Sequence, residues 1–464
     1  MRVIVISDLH MGCGPLEDFD PEVEQGLIEF CNQIAAEEEL TELVINGDFL
    51  DFVQAEPWQS PEFESETPNG ISLCFTEQQS LQKLENILRA HSGTFDALAG
   101  LVNSKTLLRL TIMPGNHDPD IFWRKVRTRL HERLSPGVAS DKVRFHLEPQ
   151  YQPPEFPRLW IEHGHQHDAC NSFKIKDTPC WSTACPPFLA DKENVDRLIE
   201  CVGTRFLLKF MNAMDEKYPF VDNVKPFSKF VKMFLVSSVS RDFGPIKALV
   251  SYWALASFMA GRLAKAPSEL LSTEESPDKM ADEMIRLIND LSDDKAEKLK
   301  TRLVAAGFQI GSRQLKFFVK QDTENAEKLL DFLSEHPDVM AEIETDQSGL
   351  LSPGDRGYLT LGGGFIADET RELKNAARKI IDGGFADAVV MGHTHEPVNT
   401  NSDLNYVNTG SWIRYFKEVA GNQRSSWSML KQSGYPNFPY ELAYAEIGEK
   451  TNGKLMRRIF RPQG

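Results

Sequence analysis

The sequence lacks the features that mark several classes of protein. Its seven cysteines are odd in number and include no C-x-x-C pair, so they predict neither a disulfide framework nor a thiolate zinc site. The longest uncharged apolar stretch, residues 248–261, has 14 residues, fewer than the roughly 20 that a membrane-spanning helix needs. No basic leader with a long apolar region follows Met1, and a cytoplasmic location is therefore expected.

Positive charge is also scarce. The 464 residues include 51 Lys and Arg against 68 Asp and Glu, a net charge of -17. A field of this sign repels polyanions, which disfavours nucleic acid as a partner. The length exceeds the roughly 250–300 residues at which a single core stops growing, so we expect two structural units or one core with a large insertion.

Short apolar runs recur along the chain, and each predicts a buried strand. They occupy residues 2–7, 43–46, 107–113, 159–162 and 388–391, and two closing strands are expected at 442–447 and 454–460. Helical spacing lies between several of these runs, and the alternation predicts an α/β core.

The middle of the chain has a different pattern. From about Asp191, strand signals give way to apolar residues at helical spacing, beginning with Val195, Leu198 and Ile199. We therefore predict a core in two parts, residues 1–190 and 346–464, interrupted by a helical insertion or cap at 191–345.

Polar residues with metal-binding side chains follow all five apolar runs. The clusters are Asp8-x-His10, Gly47-Asp48-x-x-Asp51, Gly115-Asn116-His117-Asp118, His163-Gly164-His165 and Gly392-His393-x-His395. Because ligands bind beyond the carboxyl ends of strands in open α/β sheets, we expect the clusters to converge. Imidazole and carboxylate groups suit Mn, Fe or Zn, and a pair of ions needs a bridging carboxylate, for which Asp48 is our choice.

This ordered set of motifs resembles the calcineurin-like metallophosphoesterase superfamily. The resemblance implies a sandwich of two β-sheets flanked by helices, holding two divalent ions, with Mn expected first and Fe or Zn as alternatives. It assigns one ion to Asp8, His10 and His395, the other to Asn116, His163 and His393, and the bridge to Asp48.

The resemblance also implies a mechanism and catalytic residues. A hydroxide held between the ions would attack phosphorus in line, while both ions neutralise charge on the phosphoryl group. His117 stands at the family's general-acid position, and Asp118 is predicted to orient its ring. Asp51 is predicted to accept a hydrogen bond from a ligand imidazole.

Within the superfamily, the motifs are most similar to the UDP-2,3-diacylglucosamine hydrolase branch. The chain departs from that branch by having His117 where the branch typically has Arg, and by its longer insertion. These departures favour a different phosphodiester, phosphomonoester or diphosphate, which can still be nucleotide- or lipid-linked.

A basic segment offers one hint about the substrate. Residues 203–265 contain ten Lys or Arg against four Asp or Glu, although the whole chain is acidic. Such an apolar, basic segment can bind an amphiphilic phosphate or make peripheral contact with the inner membrane face, but it can equally be the core and solvated face of a helical cap.

Two other functions compete with a small-molecule or lipid-linked phosphoesterase. A nuclease of the same superfamily would act on DNA or RNA, but the acidic charge argues against it. A non-catalytic metal-binding scaffold would be expected to have lost a ligand or the acid histidine, and the sequence retains all of them.

Overall fold

The computed structural model describes most of the chain outside its middle third. The described residues are 1–57, 65–67, 71–136, 141–168, 171–175, 178–201, 203–204, 207–215, 218–225, 300–301, 304, 369–400, 404–417, 430 and 434–462. The chain divides into two compact units, the first comprising Met1–Lys225, Glu369–Lys417 and Ser433–Gly464. Every element below belongs to this first unit. Almost all of the second, Pro226–Asp368 with Glu418–Gln432, lies outside the described residues.

The described chain contains strands along most of its length, with α-helices between several of them. The strands are β1 (Arg2–Ile6), β2 (Thr41–Asn46), β3 (Ser65–Glu66), β4 (Ser72–Thr76), β5 (Leu107–Met113), β6 (Val143–Phe145), β7 (Leu159–Ile161), β8 (Lys174–Ile175), β9 (Thr178–Pro179), β10 (Phe188–Ala190), β11 (Asp196–Ile199), β12 (Val224–Lys225), β13 (Ala388–Met391), β14 (Tyr406–Asn408), β15 (Phe416–Lys417), β16 (Leu442–Gly448) and β17 (Met456–Phe460). The α-helices are α1 (Pro21–Ala36), α2 (Glu77–Ala90), α3 (Ser92–Asn103), α4 (Arg124–Leu134), α5 (Asn212–Asp215) and α6 (Glu369–Asp382).

Two sheets carry the predicted strands. The larger has the order β17-β16-β1-β2-β5-β6, and the smaller has the order β14-β13-β7. In the larger sheet β1, β2, β5 and β6 run parallel, and all three strands of the smaller sheet are parallel. Within each sheet the carboxyl ends of these parallel strands therefore meet at one edge.

The two sheets pack face to face. One core cluster joins Val3 and Val44 of the larger sheet to Ile161 and Val390 of the smaller sheet. A second cluster covers the outer face of the larger sheet with helices α1 to α4, and a third packs Leu373 of α6 on the outer face of the smaller sheet. The predicted α/β sandwich of two sheets flanked by helices is thus confirmed.

Helix α1 shows how the local sequence fixes these elements. The Asp20 side chain accepts hydrogen bonds from the backbone N–H groups of Glu22 and Val23, and Pro21 occupies the first turn. Its buried residues recur at helical spacing and face the larger sheet: Val23, Gly26, Leu27, Phe30, Cys31 and Ile34.

The helical structure predicted for the start of the insertion is wrong for residues 196–199. Asp196–Ile199 forms strand β11, which pairs with β10 and β4 in a separate sheet of the order β10-β11-β4-β3. Leu198 and Ile199 pack into different core clusters, as neighbours on a strand do, so pairing with β4 overrides their helical spacing. Helical structure appears at Leu207–Met211 and α5. The rest of the insertion lies outside the described residues, so it and its boundaries stay predictions.

Among the described residues, the structure contains neither a disulfide nor a helix that could span a membrane. The six cysteines that the structure describes are all free thiols, and five of them are buried. Within the same residues, no helix combines the length and apolar character needed to cross a membrane.

Candidate metal centre

The loops after five parallel strands place the predicted ligands next to one another. One cluster contains Asp8, His10 and His395, and another contains Asp48, His163 and His393; in each cluster the potential ligand atoms lie within 4.8 Å of one another. The first cluster has the three residues that the resemblance implies for one ion, and the second has two of the three implied for the other ion, together with Asp48. The two rings of the His393-x-His395 pair lie in different clusters. All six residues are buried. A third group of potential ligands contains His10, Asp51 and His117.

Asp48 belongs to the second cluster and also approaches the first. Its Oδ2 is 3.1 Å from His163 Nε2 and 3.8 Å from His10 Nε2. One carboxylate oxygen therefore approaches a ring nitrogen of each cluster, which is the placement that a bridging ligand requires.

Asn116 offers a further donor. The residue is 4% exposed, and its side-chain Oδ1 is buried without a hydrogen-bond partner in the part of the chain that the structure describes. Leaving such an atom unpaired costs ~1–3 kcal/mol, and a bound ion is one of the partners that explains it. The orphaned oxygen, the buried imidazoles and the carboxylates form a donor set that suits divalent metal ions.

The backbone of the ligands is strained. Among the described residues, seven other than glycine have positive φ, and five of these are predicted ligands: Asp8 at 55°, His10 at 48°, Asp48 at 49°, His393 at 71° and His395 at 56°. Such conformations cost about 1–3 kcal/mol each and concentrate at functional sites. The concentration at this site indicates that ligand placement outweighs local stability.

Two of the predicted glycines leave room for carboxylates. A Cβ at Gly115 would lie 2.3 Å from Asp48 Oδ1, and a Cβ at Gly392 would lie 2.4 Å from Asp8 Oδ2 and 2.3 Å from Ser7 Oγ. Any larger residue at either position would displace a predicted ligand.

Gly392→Ala is therefore expected to destabilise the metal-free protein by ~1–3 kcal/mol through overpacking. Urea denaturation in the presence of a chelator measures this change. Gly100→Ala in α3 is the matched control, because a Cβ there meets no atom within 4 Å and alanine favours a helix. Equal stability of the two variants would contradict the inference that a Cβ at position 392 clashes with Ser7 and Asp8.

In two of the ligand rings, His10 and His163, a hydrogen-bond acceptor lies beside one of the two ring nitrogens. His10 Nδ1 lies 3.0 Å from Asp51 Oδ2, and His163 Nδ1 lies 2.9 Å from the backbone oxygen of Asn46. Both rings thus donate through Nδ1 and leave Nε2 for an ion. The predicted role of Asp51 as the acceptor for a ligand imidazole fits this geometry.

The predicted partner of the His117 ring is wrong. His117 Nδ1 lies 2.8 Å from Asp51 Oδ2, whereas the Asp118 carboxylate accepts backbone N–H bonds from Phe49, Leu50 and Gly115. Asp118 therefore holds the loops that carry Asp48 and Asn116, and Asp51 orients His117. The sequence favoured Asp118 because it is adjacent, but an adjacent residue need not face the ring.

The carboxylates and imidazoles of the site shift one another's pKa values. Burial acts to raise the pKa of Asp48, but the charges of His163 and His117 lower it well below its usual value. Burial acts to lower the pKa of His117, but Asp51 and Asp48 raise it to about 9. The site thus favours an ionised Asp48 and a protonated His117.

This shift predicts a pH-dependent contribution of His117 to stability. Because the pKa rises from 6.5 to about 9 on folding, the contribution is complete below pH 6.5 and is lost as the pH rises to about 9. Urea denaturation of chelator-treated wild type and His117→Ala should show a larger difference in unfolding free energy at pH 6 than at pH 9. A constant difference would contradict it.

Two further histidines after β7, His165 and His167, differ in setting. His167 Nε2 lies 2.6 Å from Glu162 Oε1, outside the ligand clusters. His165 is buried and packs edge-on against Trp181, with ring centroids 4.3 Å apart. Burial, followed by the charge of His163, lowers the pKa of His165 well below its usual value, so this ring stays neutral.

Two residues that support the site were missed by the sequence analysis. Asp168 Oδ2 lies 3.1 Å from His393 Nε2, and Asn408 Nδ2 donates to the backbone oxygen of Gly392 at 2.7 Å. Asp168 belongs to the histidine-rich motif after β7, and its spacing could have marked it as a candidate. Asn408 is the last residue of strand β14, close to the strand-end positions that the ligands occupy.

Comparison with known proteins gives one match, in the first part of the chain. Residues 1–199 match the family model for calcineurin-like phosphoesterases. The match supports the superfamily and, with the clustered donors, a metal-dependent phosphoesterase. No curated protein and no solved structure matches the chain. The resemblance to the UDP-2,3-diacylglucosamine hydrolase branch rests on its motifs and stays a prediction.

Proposed function

We propose that this protein is a binuclear metallohydrolase that cleaves a phosphodiester, phosphomonoester or diphosphate bond. The observation that carries the proposal is the pair of buried donor clusters, of which Asp48 belongs to one and approaches His10 of the other. Bound divalent ions, Mn by preference and Fe or Zn as alternatives, would generate a nucleophile from water and neutralise charge on the phosphoryl group.

The ligands would divide between the two ions as their clusters do. Asp8, His10 and His395 would hold one ion, and His163, His393 and the orphaned oxygen of Asn116 would hold the other. Asp48 would contact both. Asp48 is already ionised at neutral pH, because its pKa is well below the usual value. It can therefore bind both ions without first losing a proton, which supports this role.

His117 would supply the proton that the leaving oxygen needs. Its Nδ1 is held by Asp51, so Nε2 is the atom that would donate the proton. The protonated state that Asp51 and Asp48 favour suits an acid rather than a base. Its side chain is 15% exposed, more than those of the other site residues in its ion-pair network, and this supports access to a substrate.

The decisive experiment assays the full chain, stripped of metal and reconstituted with Mn²⁺, on a panel of phosphoesters. The panel contains a bis-aryl phosphodiester, an aryl phosphomonoester, a UDP-linked lipid, cyclic nucleotides and single-stranded DNA. Metal-dependent turnover of one of the small or lipid-linked esters supports the proposal. Turnover of DNA alone would favour a nuclease, and bound metal without any turnover would favour a scaffold.

The substrate is proposed to be nucleotide- or lipid-linked on the composition of residues 203–265 alone. Their basic, apolar character suits an amphiphilic phosphate or an anionic membrane face. Deleting this segment should abolish turnover of the UDP-linked lipid and spare the small aryl esters. Circular dichroism would check that the core still folds, and equal loss of both activities would assign the segment a structural role.

A further inference from the structure

The His393 ring has a charged partner from a distant part of the chain. Its Nε2 lies 3.1 Å from Asp168 Oδ2, and the two residues are 225 positions apart in sequence. Both side chains are largely buried, His393 at 5% and Asp168 at 10% exposure. A ring that donates from Nε2 to this carboxylate keeps its lone pair on Nδ1, which remains the nitrogen able to bind an ion.

Asp168 is itself fixed in place. Asn171 Nδ2 donates to Asp168 Oδ2 at 2.5 Å, and the Asp168 N–H donates to the backbone oxygen of His165 at 3.1 Å. The backbone oxygen of Asp168 in turn accepts from the N–H of Ser172 at 3.0 Å. The carboxylate is therefore held by the turn that follows β7 rather than by a freely rotating side chain.

The acceptor differs from one supported ring to the next. His163 is held by a backbone oxygen, and His10 shares Asp51 with His117, whereas the acceptor of His393 is Asp168. A full carboxylate on one ring raises the basicity of its other nitrogen more than a backbone carbonyl does.

We propose that Asp168 is a positioning residue for His393, holding Nε2 so that Nδ1 faces the ion held by Asp48 and His163. The proposal rests on the proposed function, since it gives His393 an ion to bind. The proposal predicts a different effect at each site. Asp168 would strengthen binding of the ion held by Asp48 and His163, and would leave the affinity of the site of Asp8, His10 and His395 unchanged.

The test is Mn²⁺ binding to the full chain by calorimetry and equilibrium dialysis. Asp168→Ala should weaken one of two sites by ~10–100-fold and leave the other unchanged. Asp168→Asn, whose amide oxygen still accepts the ring N–H, should fall between Asp168→Ala and wild type. Asp387→Asn is the matched control, because it removes the same charge from an aspartate that pairs with Arg158 at the surface and is 69% exposed. It should bind both ions as wild type does.

A second readout needs no metal. Nitrogen-15 NMR of the chelated protein should show the His393 proton on Nε2 in wild type and a mixture of ring tautomers in Asp168→Ala. Unchanged Mn²⁺ affinities and an unchanged tautomer in Asp168→Ala would overturn the proposal, as would equal weakening of both sites by both Asp168 variants. Wild-type protein that binds no Mn²⁺ would refute the proposed function instead, and the tautomer would still decide the role of Asp168.

Discussion

The Asp48→Asn variant is expected to lose turnover by on the order of 10³-fold or more and to weaken both metal sites together. Asp48 Oδ2 approaches His163 of one cluster and His10 of the other, so replacing the charged oxygen with a neutral amide removes attraction for both ions. Parallel measurements of phosphoester turnover and of Mn²⁺ stoichiometry check the two effects.

A comparison with His395→Ala makes this prediction specific. His395 Nε2 lies 2.9 Å from His10 Nε2 and 3.4 Å from Asp8 Oδ1, all within one cluster. Its loss should therefore weaken one ion and spare the other. The bridging role of Asp48 would be wrong if Asp48→Asn also weakened only one ion.

The His117→Ala variant should keep both ions and turn over ~10²–10⁴-fold more slowly. The loss should be largest for esters with poor leaving groups, because these need a proton most. Rates measured across a series of aryl esters with graded leaving-group pKa values give this dependence. His117 donates its backbone N–H to Asp48 Oδ1 at 2.8 Å, and alanine preserves that bond.

His146→Ala is the control for this histidine. His146 Nε2 lies 2.6 Å from the backbone oxygen of Gln150, outside the ligand clusters, so its loss should leave kcat unchanged. A leaving-group dependence for His117→Ala equal to that of wild type would remove His117 from the proton transfer.

The sequence sufficed for the parts of this fold that depend on local pattern. Apolar runs are enough to predict buried strands. The polar residues that follow these strands lie close together because the strands are parallel and their carboxyl ends meet at one edge of each sheet. The placement of His393 and His395 in different clusters was implied by the resemblance to the metallophosphoesterase superfamily, and the structure places the two rings in different clusters. The implication needed no knowledge of the residues between.

Features set by contacts between distant segments were out of reach. The choice of Asp51 over Asp118 as the partner of His117 depends on how two loops fold back on each other, and the Asp168 contact with His393 spans the insertion. Strand β11 forms because it pairs with β4. The spacing of apolar residues along the sequence does not show that β4 lies beside it.

The smaller sheet has a consequence for synthesis of the protein. Its strand β7 comes early in the chain, while β13 and β14 come after residue 387, and β16, which pairs with β1, comes later still. Five of the seven predicted ligands leave the ribosome before the insertion does, but His393 and His395 follow it. A nascent chain of the first 199 residues would thus carry most of the donors while β7 still lacks its partner strand β13, and the complete set of donors assembles only near the end of translation.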